Sequence, residues 1–189
     1  MAAEVALIGE VKDGHLKRVT YEILGECLRQ GLEATVVLPG SGIPESLKDE
    51  LGQHGASKVV FLESDALKQY STEGYANALH AFLSTKNPAA ILTGATSQGK
   101  DFLPRLAAKF GVGMAADCTE FKAAGNEFTV KRPVYAGKCT KSVQFTKGPA
   151  VFSVRPNVLA VSTSHAKTAT VEKVAANAGT IRAKLVEVQ

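Results

Sequence analysis

The chain has 189 residues, 45% of them apolar, and a net charge of only +4, which fits a single large α/β domain or one domain with an appendage, long enough to bury a real core. No run approaches the roughly 18 to 20 apolar residues of a membrane helix, and the opening MAAEVALIGEV enters a strand-like run without a basic region or cleavage site, so membrane insertion is not expected and an intracellular chain is. Cys27, Cys118 and Cys139 are odd in number, with no C-x-x-C, which suits a reducing compartment; His15, His54, His80 and His165 show no paired ligand spacing, so no metal is expected.

In chain order, residues 5–11 form a short continuous apolar run, the pattern of a strand covered on both faces. From 17 to 30, Val19, Ile23, Leu24, Cys27 and Leu28 recur at helical spacing, and Gly31 follows as a stop, which places Cys27 in the core. Two more apolar runs, 33–39 and 58–63, precede a stripe of Ala76, Leu79, His80, Phe82 and Leu83. A fourth run, 89–94, is followed by the stripe Phe102, Leu103, Leu106, Ala107 and Phe110. Four consecutive strand–helix units predict a parallel sheet with right-handed crossovers and helices on both faces.

Between the fourth strand and its helix stands GATSQGKD, Gly94 to Asp101, one side chain short of the phosphate-gripping G-x-x-x-x-G-K-[ST]. Asp101 occupies the place of the hydroxyl that would ligate Mg²⁺ and would set a carboxylate beside phosphate oxygens. Pro104 is tolerated without a kink in the first helical turn, so the helix is expected to start near Asp101, with Asp101 as its N-cap and Lys100 outside it. A working P-loop is therefore not expected. Two readings stay open: an ordinary strand-to-helix turn, or an anion loop of backbone N–H groups over Gly94, Thr96, Ser97, Gln98 and Gly99. Ser153 and Ser164 sit in no G-x-S-x-G elbow, His80 lies in a helix stripe, and Asp117 and Glu120 form a short pair, so no catalytic residue is expected.

After Gly113 helical periodicity stops, and β-branched and aromatic residues dominate 126–158, a β-rich extension. Between Glu127 and Glu172 there is no acidic residue, whereas Lys131, Arg132, Lys138, Lys141, Lys147, Arg155 and Lys167 all fall inside. The interleaved Phe128, Tyr135, Phe145 and Phe152 would suit nucleic acid, but they alternate at strand period as half-buried strands do. No nucleic-acid partner is expected; the segment is read as a surface that docks an acidic partner or a cofactor phosphate, against the plainer alternative of a solvated face. Residues 180–188 alternate like one more strand, joined by an Ala/Thr/Ser-rich connection, 162–179, and are expected to enter a neighbour's sheet or lead into something missing.

The blocks LTGATSQGKDFLPRLAAKFGVGMAADCTEF, KRPVYAGKCTKSVQF and AVFSVRPNVL, in this order and spacing, closely resemble the alpha subunit of electron-transferring flavoprotein. VALIGEVKDGHLKRVTYEILGECLRQG is similar to that family's first strand and helix, so the resemblance covers essentially the whole chain. It implies a three-layer α/β/α fold with a mainly parallel sheet, Rossmann-like and related to adenine-nucleotide-hydrolase-like domains. Residues 1–160 would be the α/β domain, and 161–189 a connection and terminal strand leading to a second domain, absent from this chain, that binds most of the FAD. The family's flavin-contacting residues then have no counterparts here, no cofactor is expected in this part alone, and the second nucleotide of many members belongs to the beta subunit. The resemblance implies an electron carrier, not an enzyme: the parent FAD heterodimer takes electrons from flavoprotein dehydrogenases such as acyl-CoA dehydrogenases and passes them to a membrane quinone reductase and the respiratory chain. Its place would be the cytoplasm, or the mitochondrial matrix if a presequence has been removed. Lys131, Arg132, Tyr135, Lys138 and Arg155 are the expected contacts with the beta subunit. The alternative is a stand-alone nucleotide-binding protein of the related superfamily.

Overall fold

The computed structural model describes residues 3–163, 166–183 and 186–187. The first apolar run splits. Strand β1 (Glu4–Ile8) ends where Gly9 meets the Leu38 side chain so closely that a Cβ would stand 2.5 Å from Cδ2. Val11 belongs instead to a small hairpin, β2 (Val11–Lys12) and β3 (His15–Leu16), turned by Asp13 and Gly14 at φ 52° and 78°, the left-handed pair that such a turn needs. Helix α1 (Arg18–Arg29) follows as expected, with Gly31 at φ 68° past its end. Next come β4 (Glu33–Gly40), a helix the periodicity did not reveal, α2 (Ser46–Gln53), then β5 (Lys58–Glu63), α3 (Thr72–Leu83), β6 (Ala90–Gly94) and α4 (Ser97–Phe110).

The β-rich second half adds antiparallel strands and also returns to the main sheet. Strand β7 (Met114–Cys118) leads into an antiparallel sheet of β8 (Glu120–Ala124), β9 (Glu127–Val134) and β10 (Cys139–Gln144), and the chain then returns as β11 (Ala150–Val154) to lie between β6 and β7. Strand β12 (Thr170–Ala175) closes the far edge beside β5. The seven-stranded sheet has the order β12-β5-β4-β1-β6-β11-β7, every neighbour parallel. Two corrections follow. β11, read only as part of the β-rich segment 126–158, is an interior strand of the parallel sheet and fully buried. The C-terminal strand lies at 170–175, inside the stretch read as a connection, whereas residues 180–183, 186 and 187 are not strand and the rest of 180–188 lies outside the described residues.

Register explains the two cores. Val36, Leu7, Leu92 and Phe152 stand side by side across β4, β1, β6 and β11 and face α1 and α2; Val37, Ile8, Ile91 and Val151 face α3 and α4. The antiparallel sheet packs on the first face through aromatic rings: Phe152 lies 5.3 Å from Phe121, 5.9 Å from Phe145 and 6.2 Å from Phe128, centroid to centroid. Phe128 and Phe152 are thus interior side chains, unavailable as a stacking platform for bases. Cys27 is fully buried, as its place in the α1 stripe implied. Among the described residues no helix is long and apolar enough to cross a membrane.

Candidate docking site

Gly94 to Asp101 follow the carboxyl end of β6, and Asp117, Ser153 and Arg155 stand at the carboxyl ends of β7 and β11. Chain order reverses between β1 and β6, so the crevice outside those two strands is where a nucleotide would sit in such a sheet. Here α4 begins at Ser97 and not near Asp101. Thr96 is the N-cap, its hydroxyl accepting from the Gly99 N–H at 3.0 Å and donating to the Glu10 carboxylate at 2.5 Å. Lys100 lies inside the helix, its N–H bonded to the Thr96 carbonyl at 2.9 Å. Pro104 is interior, tolerated because both it and Lys100, whose carbonyl it leaves unserved, lie on the solvent face of the helix. Asp101 caps nothing; its carboxylate accepts hydrogen bonds from Tyr70 (2.6 Å) and Thr72, tying α4 to the start of α3.

The glycines of this loop serve packing. A Cβ on Gly94 would stand 2.3 Å from Val19 Cγ1, and one on Gly99 would stand 2.0 Å from the Gly94 carbonyl oxygen. The helix therefore starts where Gly99 can press against the end of β6, one turn before the point Pro104 suggested. The Thr96 hydroxyl and the Gly99 N–H are thus already engaged, and the Glu10 carboxylate that Thr96 binds sets a negative charge beside this loop.

One strand further along, the geometry opens. Val154 of β11 pairs with Gly94 on one side and with Cys118 on the other, and the register of β7 slips between Phe152 and Val154. Asp117 takes up the extra residue at φ 59°, its N–H bonded to the Ser153 hydroxyl at 3.0 Å. Ser153, fully buried, is thus the support of a bulge. The bulge presents the Asp117 carboxylate to Arg155, which grips it with two bonds of 2.6 and 3.2 Å. The Arg155 fork holds the Asp117 carboxyl below the usual carboxylate range, and Lys100 and Arg132 add to that field. Arg155 is itself placed by its loop: the buried Glu22 carboxylate of α1 accepts the Asn157 N–H at 2.9 Å and the Arg18 Nε at 3.2 Å.

Facing Arg155 stands the β9–β10 turn. Asp117, Arg132, Pro133, Val134, Tyr135 and Arg155 line an open hollow of about 510 Å³. Tyr135 is 80% exposed. Of the five expected contact residues, the structure brings Arg132, Tyr135 and Arg155 together here. Lys131 points to the opposite face, where Glu120 binds it at 2.9 Å, and Lys138 stands on the turn outside the hollow. The side chain that sequence reasoning missed is Asp117, seen only as half of a short pair with Glu120; a bulge leaves no periodic signal. Glu10 was missed too, because the hairpin that places it was read as strand.

The chain matches the electron transfer flavoprotein domain over residues 5–178. It belongs to the electron transfer flavoprotein family. It is 32% identical to the electron transfer flavoprotein subunit alpha of Bacillus subtilis over 86% of its own length and 50% of that protein's. Against the alpha subunit of Clostridium acetobutylicum it is 32% identical over 97% of its length and 58% of the relative's. It is also 34% identical to the acryloyl-CoA reductase electron transfer subunit beta of Anaerotignum propionicum, over 63% of its length and 33% of that protein's. The chain spans about half the length of the curated alpha-subunit relatives it matches.

Proposed function

We propose that this chain is the N-terminal scaffold of an electron transfer flavoprotein alpha subunit and that its basic hairpin surface holds the beta subunit. The parent heterodimer then carries electrons on FAD from flavoprotein dehydrogenases, acyl-CoA dehydrogenases among them, towards the respiratory chain, in a soluble compartment. The observation that carries the reading is the hollow walled by Arg132, Tyr135 and Arg155, a cationic, aromatic-tipped concavity on a fold whose Gly94–Asp101 loop is bonded to the Glu10 carboxylate. The name of the acryloyl-CoA reductase relative supports service to an acyl-CoA-linked flavoprotein. In this role the α/β domain performs no reaction of its own; it supports the surfaces that hold the flavin between subunits. Co-expression with the beta subunit from the same genome tests it. A stable 1:1 complex by size exclusion with light scattering is expected, and this chain purified by itself should keep no stoichiometric flavin absorption after dialysis from excess FAD. Two non-interacting proteins, or a flavin retained by this chain alone, would overturn the proposal.

A further inference from the structure

Strand β8 covers β9 only from Glu127 to Lys131, whereas β10 follows β9 out to the Val134–Cys139 pair. From Arg132 outwards the hairpin therefore has only two strands, half-buried along β9 and exposed along the start of β10. Its tip is held in an unusual shape, Tyr135, Ala136 and Gly137 all at positive φ (51°, 54° and 87°), which presents the Tyr135 ring to solvent. Behind the tip, Arg132 Nε is shut off from solvent and has no acceptor among the described residues, although buried donors are nearly always paired. The hollow holds two guanidinium groups, Arg132 and Arg155, against one carboxylate, Asp117. Its charge is thus short by a single negative group.

We propose that the hollow receives one carboxylate side chain of the beta subunit, bound by Arg132 and flanked by Arg155, with Tyr135 packed beside it as the aromatic anchor of the interface. The inference rests on the docking reading above and names its chemistry. A singly charged carboxylate completes the local balance, and it is planar, as the guanidinium fork requires. The absence of any acidic residue from 128 to 171 extends the same complementarity over the whole arm, so the facing surface is acidic. Buried Arg and Tyr anchors dominate interface energies, whereas exposed charges contribute little.

The experiment is isothermal titration of the chain and its variants with the beta subunit. Arg132→Gln should weaken binding about 30-fold or more and Tyr135→Ala about 10-fold or more, within the range of buried interface anchors. Arg132→Lys should fall between Arg132→Gln and the unaltered chain, since the charge stays and the fork is lost. Lys131→Gln, on the opposite face of the same strand, should change the affinity less than about 3-fold, as a rim charge does. Urea midpoints of all four variants should match that of the unaltered chain, which separates docking from folding. Full binding by Arg132→Gln overturns the hollow and leaves docking in place, and equal losses at Lys131 and Arg132 show a diffuse basic face instead. No binding by the unaltered chain removes the docking reading and this inference with it.

Discussion

Replacing Gly99 by alanine sets two effects of known sign against each other. Inside a helix, alanine is favoured over glycine by up to about 1 kcal/mol, so an unconstrained site would be stabilised. Here the new Cβ would stand 2.0 Å from the Gly94 carbonyl oxygen, a backbone atom of a strand whose end is locked by pairing with Val154. Neither side can yield cheaply, and overpacking of this kind costs about 1–3 kcal/mol. Moving the start of α4 outwards to relieve the contact would also loosen the Thr96 cap, worth about 1 kcal/mol, and its bond to Glu10. The net expectation for Gly99→Ala is a loss of about 1–3 kcal/mol, a fall in Tm of about 2–12 °C for a domain of this size. Urea unfolding followed by far-UV circular dichroism measures it, with Gly113→Ala as the control, because a Cβ there meets nothing within 4 Å. If Gly99→Ala is as stable as the unaltered chain, the close approach of α4 to β6 is wrong, and the glycine must be explained by ligand access instead.

Asp101 gives a pH-dependent test. Bonds from the Thr72 and Tyr70 hydroxyls hold its carboxyl below the usual range, so its share of stability is complete above the unfolded-state pKa and is lost as pH falls through the folded one. Asp101→Asn should therefore lower the urea midpoint at neutral pH and flatten its decline between about pH 5 and pH 2; an unchanged acid limb would remove the carboxylate from the α3–α4 tie. The thiols should separate by burial, which pushes both Cys27 and Cys118 up to about 12, while Cys139 is exposed on β10. One equivalent of a thiol reagent should react quickly with the folded chain at Cys139 and two more only on unfolding, as mass spectrometry of the labelled peptides would show. Rapid labelling of Cys27 would mean that α1 opens in the native state.

The parallel strands could be read from sequence because strands covered on both faces are apolar along their middles: VVFL and AAIL have no polar side to show. AVFSV is as continuous a run as any of them, and β11 is as buried as β6. Its place between β6 and β7 is not legible in the sequence because it depends on a return over the whole antiparallel sheet, a non-local fact that no window contains. The start of α4 failed for the opposite reason. Pro104 and Asp101 are strong local signals, and a tertiary contact, Gly99 against the Gly94 carbonyl, outweighed both. At the C-terminus, TVEKVA and TIRAKLVEV alternate equally well; what selects 170–175 is the open edge of β5, with which all six residues pair in register.

The candidate site shows the limit most sharply. A charge count sees seven equivalent cations between Phe128 and Val171. Strand alternation then sends the adjacent Lys131 and Arg132 to opposite faces, the first onto Glu120 and the second into the hollow. The bulge at Asp117 engages Arg155, and Lys147 turns away to the Gly111 carbonyl at 3.2 Å. What composition presents as a diffuse positive field is resolved by the fold into one guanidinium with a buried, unserved donor beside an exposed tyrosine. An interface built on field strength alone would respond alike to the loss of any of these cations; one built on the hollow would depend on Arg132, which lines it, far more than on its neighbour one residue earlier.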